Sequence, residues 1–409
     1  MSSAQSEQLR RVPGARASVA RRVVRGGAMR VLEHALRDLE GGQLEVRLPD
    51  GSVRTFGSGR VASMTITSDN LFQRLALRGK LGLGESYQAG EWESDDLAAL
   101  LELLFRNADA AVARRPRLTR ALNARPRPGG RQGLRRASRN IRYHYDLGNE
   151  LFALMLDETM TYSCAIFEDP AEPLADAQRR KLRRVCDRLS LGPDDHVLEI
   201  GCGWGSFALT AAGEYGARVT GLTISPAQAA LARQRVHEAG LDHLVEIVEE
   251  DYRLHRGSYT RIASIEMIEA IGRRQFPVFF AACERLLDPG GRVCIQSILI
   301  PDHRFDRYRR SPDWIERYVF PGCLIPSLAD LTRAMASGSR LTVQAVEEIG
   351  LDYAETLRRW RENFHRHLGE VRALGYGEHF ERTWDFYLAC CEAGFRSRVL
   401  RDAQIVLAV

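Results

Sequence analysis

The pattern of apolar and polar positions predicts one domain in the first quarter of the chain and a different one after residue 140. Residues 44–48 and 53–56 alternate apolar and polar side chains, which predicts two strands, and the Pro-Asp-Gly-Ser sequence between them is typical of a turn. Residues 29–39 have apolar positions at helical spacing, and residues 95–106 form a Leu-rich helical pattern. These patterns predict a small α+β domain.

The segment 82–92 interrupts this domain with three glycines, Gly82, Gly84 and Gly90. Glycine lowers the stability of a helix interior because it loses the most backbone freedom on folding. The spacing therefore predicts a packed turn at this segment instead of a helix.

Strand and helix patterns alternate from residue 196 onward. The predicted strands cover residues 196–200, 218–222, 245–248, 262–265 and 291–297, and the predicted helices cover residues 206–214, 226–239 and 276–287. Alternation of this length indicates an α/β domain with a doubly wound, mostly parallel sheet. Residues 351–402 have a helical pattern rich in aromatic side chains, so we expect helical additions after the sheet.

Length and charge divide the chain further. A chain of 409 residues exceeds one typical domain, so we expect two. We predict a disordered basic tail at 1–27, a small domain at 28–110, a linker at 111–139 and the large domain at 140–409. From Arg114 to Arg139 the linker has ten arginines and no acidic residue. Such a segment suits an anionic partner, either phospholipid headgroups or nucleic acid, although a solvated linker without a partner is the alternative.

Several protein classes do not fit the composition. No apolar run reaches the roughly 18–20 residues that span a bilayer, and no secretory signal is recognisable. The eight cysteines are scattered without a CxxC pair or a Cys/His metal spacing, so we expect reduced thiols, a cytoplasmic location and no metal. There is no helix-turn-helix, zinc or RNA-binding signature, which disfavours nucleic acid as the partner.

The clearest chemical motif is a GxGxG turn at residues 201–205, between a predicted strand and a predicted helix. Glycines let a ligand approach the backbone, and the helix start offers free N–H groups. Two details favour S-adenosylmethionine over a dinucleotide. Glu199 precedes the glycines, where its carboxylate can reach the ligand's ammonium group, and the strand ending at Thr223 lacks the acidic residue that a dinucleotide ribose usually binds.

Further motifs extend this pattern into a family resemblance. They are YHYD at 143–146, TYSCA at 161–165, GCGWG at 201–205, GLTIS at 221–225, EDYR at 250–253 and YVFPG at 318–322. From about Tyr143 to the C-terminus the chain resembles the cyclopropane-fatty-acyl-phospholipid synthases and their mycolic-acid relatives. The segments GESY at 84–87 and GEW at 90–92 resemble the small domain of the bacterial phospholipid enzymes, which implies a lipid-binding or dimerisation role and a homodimer.

The resemblance implies a Rossmann-like methyltransferase that acts on the double bond of an unsaturated phospholipid acyl chain at the inner membrane face. The double bond attacks the sulfonium methyl, and a bound bicarbonate removes a proton from the resulting carbocation, which closes a cyclopropane. The implied bicarbonate ligands are Cys164, Glu269, Gln296, Tyr353 and the backbone of Ile298. The implied S-adenosylmethionine ligands are Tyr162, Ser163, Glu199, Gly201, Gly203, Thr223, Gln228, Asp251 and Tyr252.

Some of these residues have a purely structural alternative. Cys164 could be a small buried apolar residue, Tyr162 a core aromatic, and Glu269 a surface carboxylate, although the apolar neighbours of Glu269 argue against the surface.

The chain also departs from the family pattern. Many members have His where Ala270 and Gln296 stand, and a Gln side chain cannot carry a proton charge. A mid-chain methylene branch, reduced to a methyl branch by a partner reductase, is therefore an alternative product. A methyltransferase for an N or O nucleophile is a further alternative.

Overall fold

The computed structural model describes residues 36–109, 147–311 and 313–409, together with residues 29, 33 and 34. The predicted tail at 1–27, the linker at 111–139, the YHYD motif and part of the predicted helix at 29–39 lie outside these residues. The chain divides into two compact units, Met1–Asn123 and Ala124–Val409.

The described part of the first unit contains a four-stranded sheet and three helices with defined bounds. Its strands are β1 (Gln43–Arg47), β2 (Val53–Gly57), β3 (Val61–Ile66) and β4 (Trp92–Glu93), in the spatial order β2-β1-β3-β4. Its helices are α1 (Asn70–Arg78), α2 (Lys80–Gln88) and α3 (Leu97–Arg106). Strands β1 and β2 form the predicted hairpin, and β3 runs parallel to β1. Helix α3 begins after Asp96, whose carboxylate accepts a hydrogen bond from the Ala99 N–H, a common cap for exposed N–H groups.

The prediction of a packed turn at 82–92 is wrong, because residues 80–88 form helix α2. A Cβ atom added at Gly82 would lie 2.3 Å from the carbonyl oxygen of Arg74 in α1. Glycine at this position therefore lets α1 and α2 approach closely. The indole N–H of Trp92 holds the end of α2 by donating to the Ser86 hydroxyl at 2.9 Å and to the Leu83 carbonyl at 3.1 Å. Tertiary packing thus offsets the low helix propensity of glycine.

The second unit has a seven-stranded sheet with the spatial order β10-β11-β9-β8-β5-β6-β7. Its strands are β5 (His196–Ile200), β6 (Arg218–Thr223), β7 (Val245–Glu249), β8 (Tyr259–Ile265), β9 (Leu287–Leu299), β10 (Thr342–Glu348) and β11 (Arg401–Ala408). Strands β5 to β9 pair in parallel, and β11 is antiparallel to both β9 and β10. The prediction of a doubly wound, mostly parallel sheet is confirmed.

Helices cover both faces of this sheet. They are α4 (Asn149–Met155), α5 (Leu174–Leu189), α6 (Ser206–Tyr215), α7 (Pro226–Glu238), α8 (Phe276–Leu286), α9 (Asp302–Tyr308), α10 (Trp314–Tyr318), α11 (Leu328–Gly338), α12 (Gly350–Arg366), α13 (Leu368–Ala373) and α14 (Glu378–Arg396). Alternate residues of β5 point to opposite faces, as a strand requires. Val197 packs with Phe207 of α6 on one face, and Leu198 packs with Phe276 of α8 on the other.

The sequence pattern did not predict strands β10 and β11. The region 351–402, predicted to be helical, ends in strand β11. Six consecutive residues of β11, Asp402 to Leu407, are buried. A strand covered on both faces shows no alternation of apolar and polar positions, so its periodicity resembles that of a buried helix.

Among the described residues, none of the helices combines the length and the apolar character of a membrane span.

The strand order reverses at β5. From β5 the chain continues to β6 on one side, and it later reaches β8 on the other side. Ligands of open α/β sheets bind at the carboxyl ends of the strands beside such a reversal. This rule points to the loops that follow β5, β6 and β8.

Candidate active site

The glycine turn forms the floor of a cavity at these strand ends. Gly201, Gly203 and Gly205 have φ values of +87°, +52° and +82°, a region that favours glycine, and helix α6 begins directly afterwards. The N–H groups of Gly201 and Cys202 both donate to the Leu222 carbonyl at 2.9 Å, which ties the turn to β6. The cavity, with its open mouth included, contains about 1100 Å³ of empty space.

All nine residues predicted to bind the cofactor line this cavity. They are Tyr162, Ser163, Glu199, Gly201, Gly203, Thr223, Gln228, Asp251 and Tyr252. They come from the loop before α5, from the ends of β5 and β6, from the start of α7 and from the loop after β7. The fold therefore brings together residues that lie up to 90 positions apart in the sequence.

Glu199 has the chemistry expected for a bound cationic group. Its side chain is buried, and its Oε2 atom accepts no hydrogen bond from the described residues. Burial raises the pKa of Glu199 to about 8, against a smaller opposing effect of the Lys181 charge. A ligand ammonium group beside Oε2 would supply both the missing hydrogen bond and the missing positive charge. These residues fit S-adenosylmethionine.

Two more carboxyl groups lie among the residues predicted to be catalytic. They are Glu266, which was not predicted, and Glu269, which was. The Oε1 atom of Glu266 accepts hydrogen bonds from the backbone N–H of Cys164 at 2.8 Å and from Nε2 of Gln296 at 2.8 Å. Its Oε2 atom accepts the hydroxyl of Tyr353 at 2.6 Å. Glu266 also lines the cavity that contains the glycine turn.

Glu269 is the second carboxyl group. Its Oε1 atom accepts the backbone N–H of Ile298 at 2.6 Å and the Ser297 hydroxyl at 2.8 Å, whereas Oε2 has no partner among the described residues. The Glu269 side chain is buried, which agrees with its apolar neighbours in the sequence and not with a surface position. Burial, followed by the charge of Glu266, raises the pKa of Glu269 to about 8.

This arrangement does not fit the expected bicarbonate. Cys164, Gln296 and Tyr353 were predicted to hold that anion, but the Cys164 backbone N–H and the side chains of Gln296 and Tyr353 all donate to Glu266. Cys164 contributes its backbone only, because its thiol donates to the carbonyl of Ala165 at 3.1 Å and burial raises the thiol pKa well above its usual value.

Three residues of this cluster were missed by the sequence reasoning: Glu266, Lys181 and Asp402. Lys181 is fully buried and donates to the Ser163 hydroxyl at 2.6 Å, while Asp402 accepts a hydrogen bond from Gln296 at 3.2 Å. Glu266 carried a usable signal, since it directly follows the apolar end of β8, where ligands of such sheets bind. Lys181 and Asp402 lie within a helix and a strand, and nothing in their local sequence marks them.

Aromatic rings complete the site. The Tyr162 ring packs against Phe152 and Trp360 at centroid distances of 5.2 and 5.1 Å, and its hydroxyl is 2.7 Å from the Tyr387 hydroxyl. The Tyr353 ring stacks on Phe395 at 4.5 Å. Tyr162 thus belongs to an aromatic cluster and also lines the cofactor cavity.

The fold and this cavity define an S-adenosylmethionine-dependent methyltransferase. The structure superposes on the cyclopropane synthase MmaA2 from Mycobacterium tuberculosis with a TM-score of 0.62 and 28% identity, covering 66% of this chain and 98% of that one. It superposes on the mycolic acid cyclopropane synthase CmaA1 complexed with SAH and CTAB with a TM-score of 0.61 and 30% identity, covering 66% and 97%.

Residues 132–405 match the profile of the mycolic acid cyclopropane synthetase family, and the chain belongs to that family. It is 44% identical to the tuberculostearic acid methyltransferase UfaA1 of M. tuberculosis over 86% of this chain and 84% of that protein. It is 35% identical to the cyclopropane-fatty-acyl-phospholipid synthase of Escherichia coli over 84% and 87%. The activity of the chain is accordingly methyl transfer to lipid acyl chains.

Proposed function

We propose that this enzyme transfers a methyl group to the double bond of an unsaturated phospholipid acyl chain through a carbocation. The observation that carries the proposal is that one cavity is lined both by the predicted cofactor residues, such as Glu199 and Gly201, and by Glu266 of the carboxyl cluster. A methyl donor held by the glycine turn would therefore face a group able to accept a proton.

S-adenosylmethionine, when bound, supplies an electrophilic methyl group on a positively charged sulfur. The chain's own residues would orient it: Glu199 toward the ammonium group, and the backbone of Gly201 and Gly203 along the ligand. Thr223 and Gln228, which hydrogen-bond each other at 3.0 Å, and Asp251 and Tyr252 would contact the rest of the ligand.

A carbocation requires a site that excludes water and stabilises positive charge. Aromatic faces attract cations, by about 0.5–2 kcal/mol per ring. The rings of Tyr162, Tyr353 and Trp360 pack together beside the carboxyl cluster, with Tyr353 and Trp360 6.0 Å apart. Closure of such a site over the acyl chain would protect the cation from hydrolysis.

The first product that we propose is a cyclopropane fatty acid, formed when the transferred carbon loses a proton. A second candidate is a methylene branch, formed when a hydride first shifts between the two chain carbons and the transferred carbon then loses its proton to form a double bond with the branching carbon. The relative that is 44% identical, a tuberculostearic acid methyltransferase, favours this second candidate. A partner reductase would then be required to give a methyl branch.

The remaining parts of the proposal concern the location of the enzyme. The ten arginines between Arg114 and Arg139 would attract an anionic phospholipid surface. Peripheral attachment to the inner membrane face would bring the cavity to its acyl substrate. A homodimer stays a prediction.

The test is to express the chain in cells that contain monounsaturated phospholipids, with methionine labelled in its methyl group. Lipid extraction followed by mass spectrometry should find the label in acyl chains, and proton NMR separates a cyclopropane from an exocyclic methylene. The Gly201→Val variant is the inactive control. Label in nucleic acid or small amines, with none in lipid, would contradict the proposal.

A further inference from the structure

We infer that Glu266 is the general base of this enzyme and that its carboxylate takes the place of a bound bicarbonate. The inference rests on the proposed function, since it concerns the fate of the proton in that reaction.

Glu266 already occupies the hydrogen-bond donors that would hold a bound anion. Both oxygens of Glu266 are held, Oε1 by the Cys164 N–H and Gln296 and Oε2 by the Tyr353 hydroxyl, at 2.6–2.8 Å. A carboxylate and a bicarbonate both present a planar pair of oxygens to such donors. Two anions that share one set of donors repel each other, so the protein's own carboxylate excludes the free one.

The backbone of Glu266 is strained. Glu266 has a φ of +49°, one of four positive values at non-glycine residues in the described part of the chain. Such a conformation costs roughly 1–3 kcal/mol and occurs preferentially at functional sites. The Glu266 N–H donates to the Gln296 carbonyl at 2.8 Å, which fixes this conformation. Glycine would adopt it without strain, so the side chain is what this position requires.

Glu266 is also accessible from the cofactor cavity. Of the three carboxyl groups in this cluster, Glu266 lines the cofactor cavity, whereas Glu269 and Asp402 are buried and are not part of its lining. Burial raises the pKa of Asp402 well above its usual value, and the Glu266 charge raises it further. Burial has the same effect on Glu269. Glu266 is thus the carboxyl group of this cluster that a substrate in the cavity can reach.

Methyl transfer breaks the bond between the sulfonium sulfur and its methyl carbon and leaves a cation on the neighbouring chain carbon. For a cyclopropane, a C–H bond of the transferred carbon breaks, and its electron pair forms the bond from that carbon to the cationic carbon. For a methylene branch, a hydride first shifts so that the cation lies on the branching carbon, and the electron pair of the same C–H bond then forms the double bond. The proton moves to a Glu266 oxygen, and it leaves to solvent through the cavity mouth when the product departs. No further reactant is consumed.

The test uses the purified full-length enzyme with S-adenosylmethionine and anionic vesicles of a monounsaturated phospholipid, in buffer depleted of bicarbonate. The wild-type rate should not respond to added bicarbonate. Glu266→Gln should lower kcat by about 100- to 10,000-fold, the usual contribution of a general base, with little change in KM. Glu238→Gln, the same substitution at an exposed helical site, should keep the wild-type rate.

Glu266→Gly provides a second, independent variant. It relieves the φ strain and leaves the three donors free, so it should remain folded and should bind an anion. We expect it to be inactive in depleted buffer and to regain at least tenfold in rate with bicarbonate or formate. Carbon-13 NMR of labelled bicarbonate should detect binding to Glu266→Gly and none to the wild type, whether or not the enzyme is active.

Two results would overturn the inference: a wild-type rate that falls on depletion and returns with bicarbonate, or a Glu266→Gln enzyme within tenfold of the wild type. Tight bicarbonate binding to the wild type would overturn it without any activity measurement. If the wild type methylates no lipid at all, the proposed function fails, and the NMR comparison still decides which anion the three donors hold.

Discussion

Replacement of Gly201 by alanine tests the cofactor assignment most directly. Its φ of +87° disfavours any side chain, at about 1–2 kcal/mol for a residue with a Cβ atom. The added Cβ would also lie 2.7 Å from Cγ and 3.0 Å from Cβ of Met267, which lines the same cavity. Methionine is flexible, so this collision should be relieved by an off-rotamer shift of about 0.5–1.5 kcal/mol.

The free energy of unfolding should therefore fall by about 1.5–3.5 kcal/mol, the sum of the two costs. The enzyme should remain folded, since stabilities of 5–15 kcal/mol are usual. Cofactor affinity should fall by about 5- to 150-fold, because the new methyl group and the displaced Met267 side chain both enter ligand space, where overpacking typically costs 1–3 kcal/mol.

The measurements are urea unfolding and titration calorimetry with S-adenosylhomocysteine. Gly240→Ala is the matched control, since Gly240 has a φ of +69°, has nothing within 4 Å of an added Cβ, and lies outside the cavity. The control should lose about 1–2 kcal/mol of stability from the backbone alone and keep its affinity. Unchanged affinity in Gly201→Ala would show that the glycine turn does not hold the cofactor.

Three other predictions follow from the burial of specific groups. Because the pKa of Glu199 is raised to about 8 and a ligand ammonium would lower it, S-adenosylmethionine binding below that pH should release a proton, and affinity should rise toward pH 8. Calorimetry in buffers of different ionisation enthalpy measures this release, and Glu199→Gln should abolish it. The neutral form of Glu269 is favoured in the fold, so its contribution to stability is fully present below about pH 4.5 and is lost as the pH rises through about 8. Unfolding of Glu269→Gln across this range should be less pH-dependent than that of the wild type, and identical profiles would argue against a buried neutral carboxyl. Gly82→Ala should destabilise the first unit by roughly 1–3 kcal/mol, because the added Cβ would lie 2.3 Å from the Arg74 carbonyl oxygen. Thermal unfolding measures this loss, and Gly192→Ala, where an added Cβ meets nothing within 4 Å, should lack it.

Local sequence patterns predicted the parallel sheet and the glycine turn with Glu199, and the resemblance to a known family supplied the other residues of the cofactor cavity. These features depend on short contiguous segments: an apolar strand, a glycine turn and the start of a helix. Backbone geometry and periodicity are local properties, so they can be recognised one segment at a time. The motif at 161–165 and the GxGxG turn belong to this class.

Only the tertiary structure decided which donors and neighbours each acidic group meets. Cys164, Glu266, Gln296, Tyr353 and Asp402 come from five segments spread over more than 230 residues, and the sheet brings them into one hydrogen-bonded cluster. Which group the donors bind depends on the backbone conformation that places the Glu266 side chain, and which carboxyl groups reach the cavity depends on burial. Neither property can be read from neighbouring residues, because both arise from groups that meet only when β8, β9, β11 and α12 pack together.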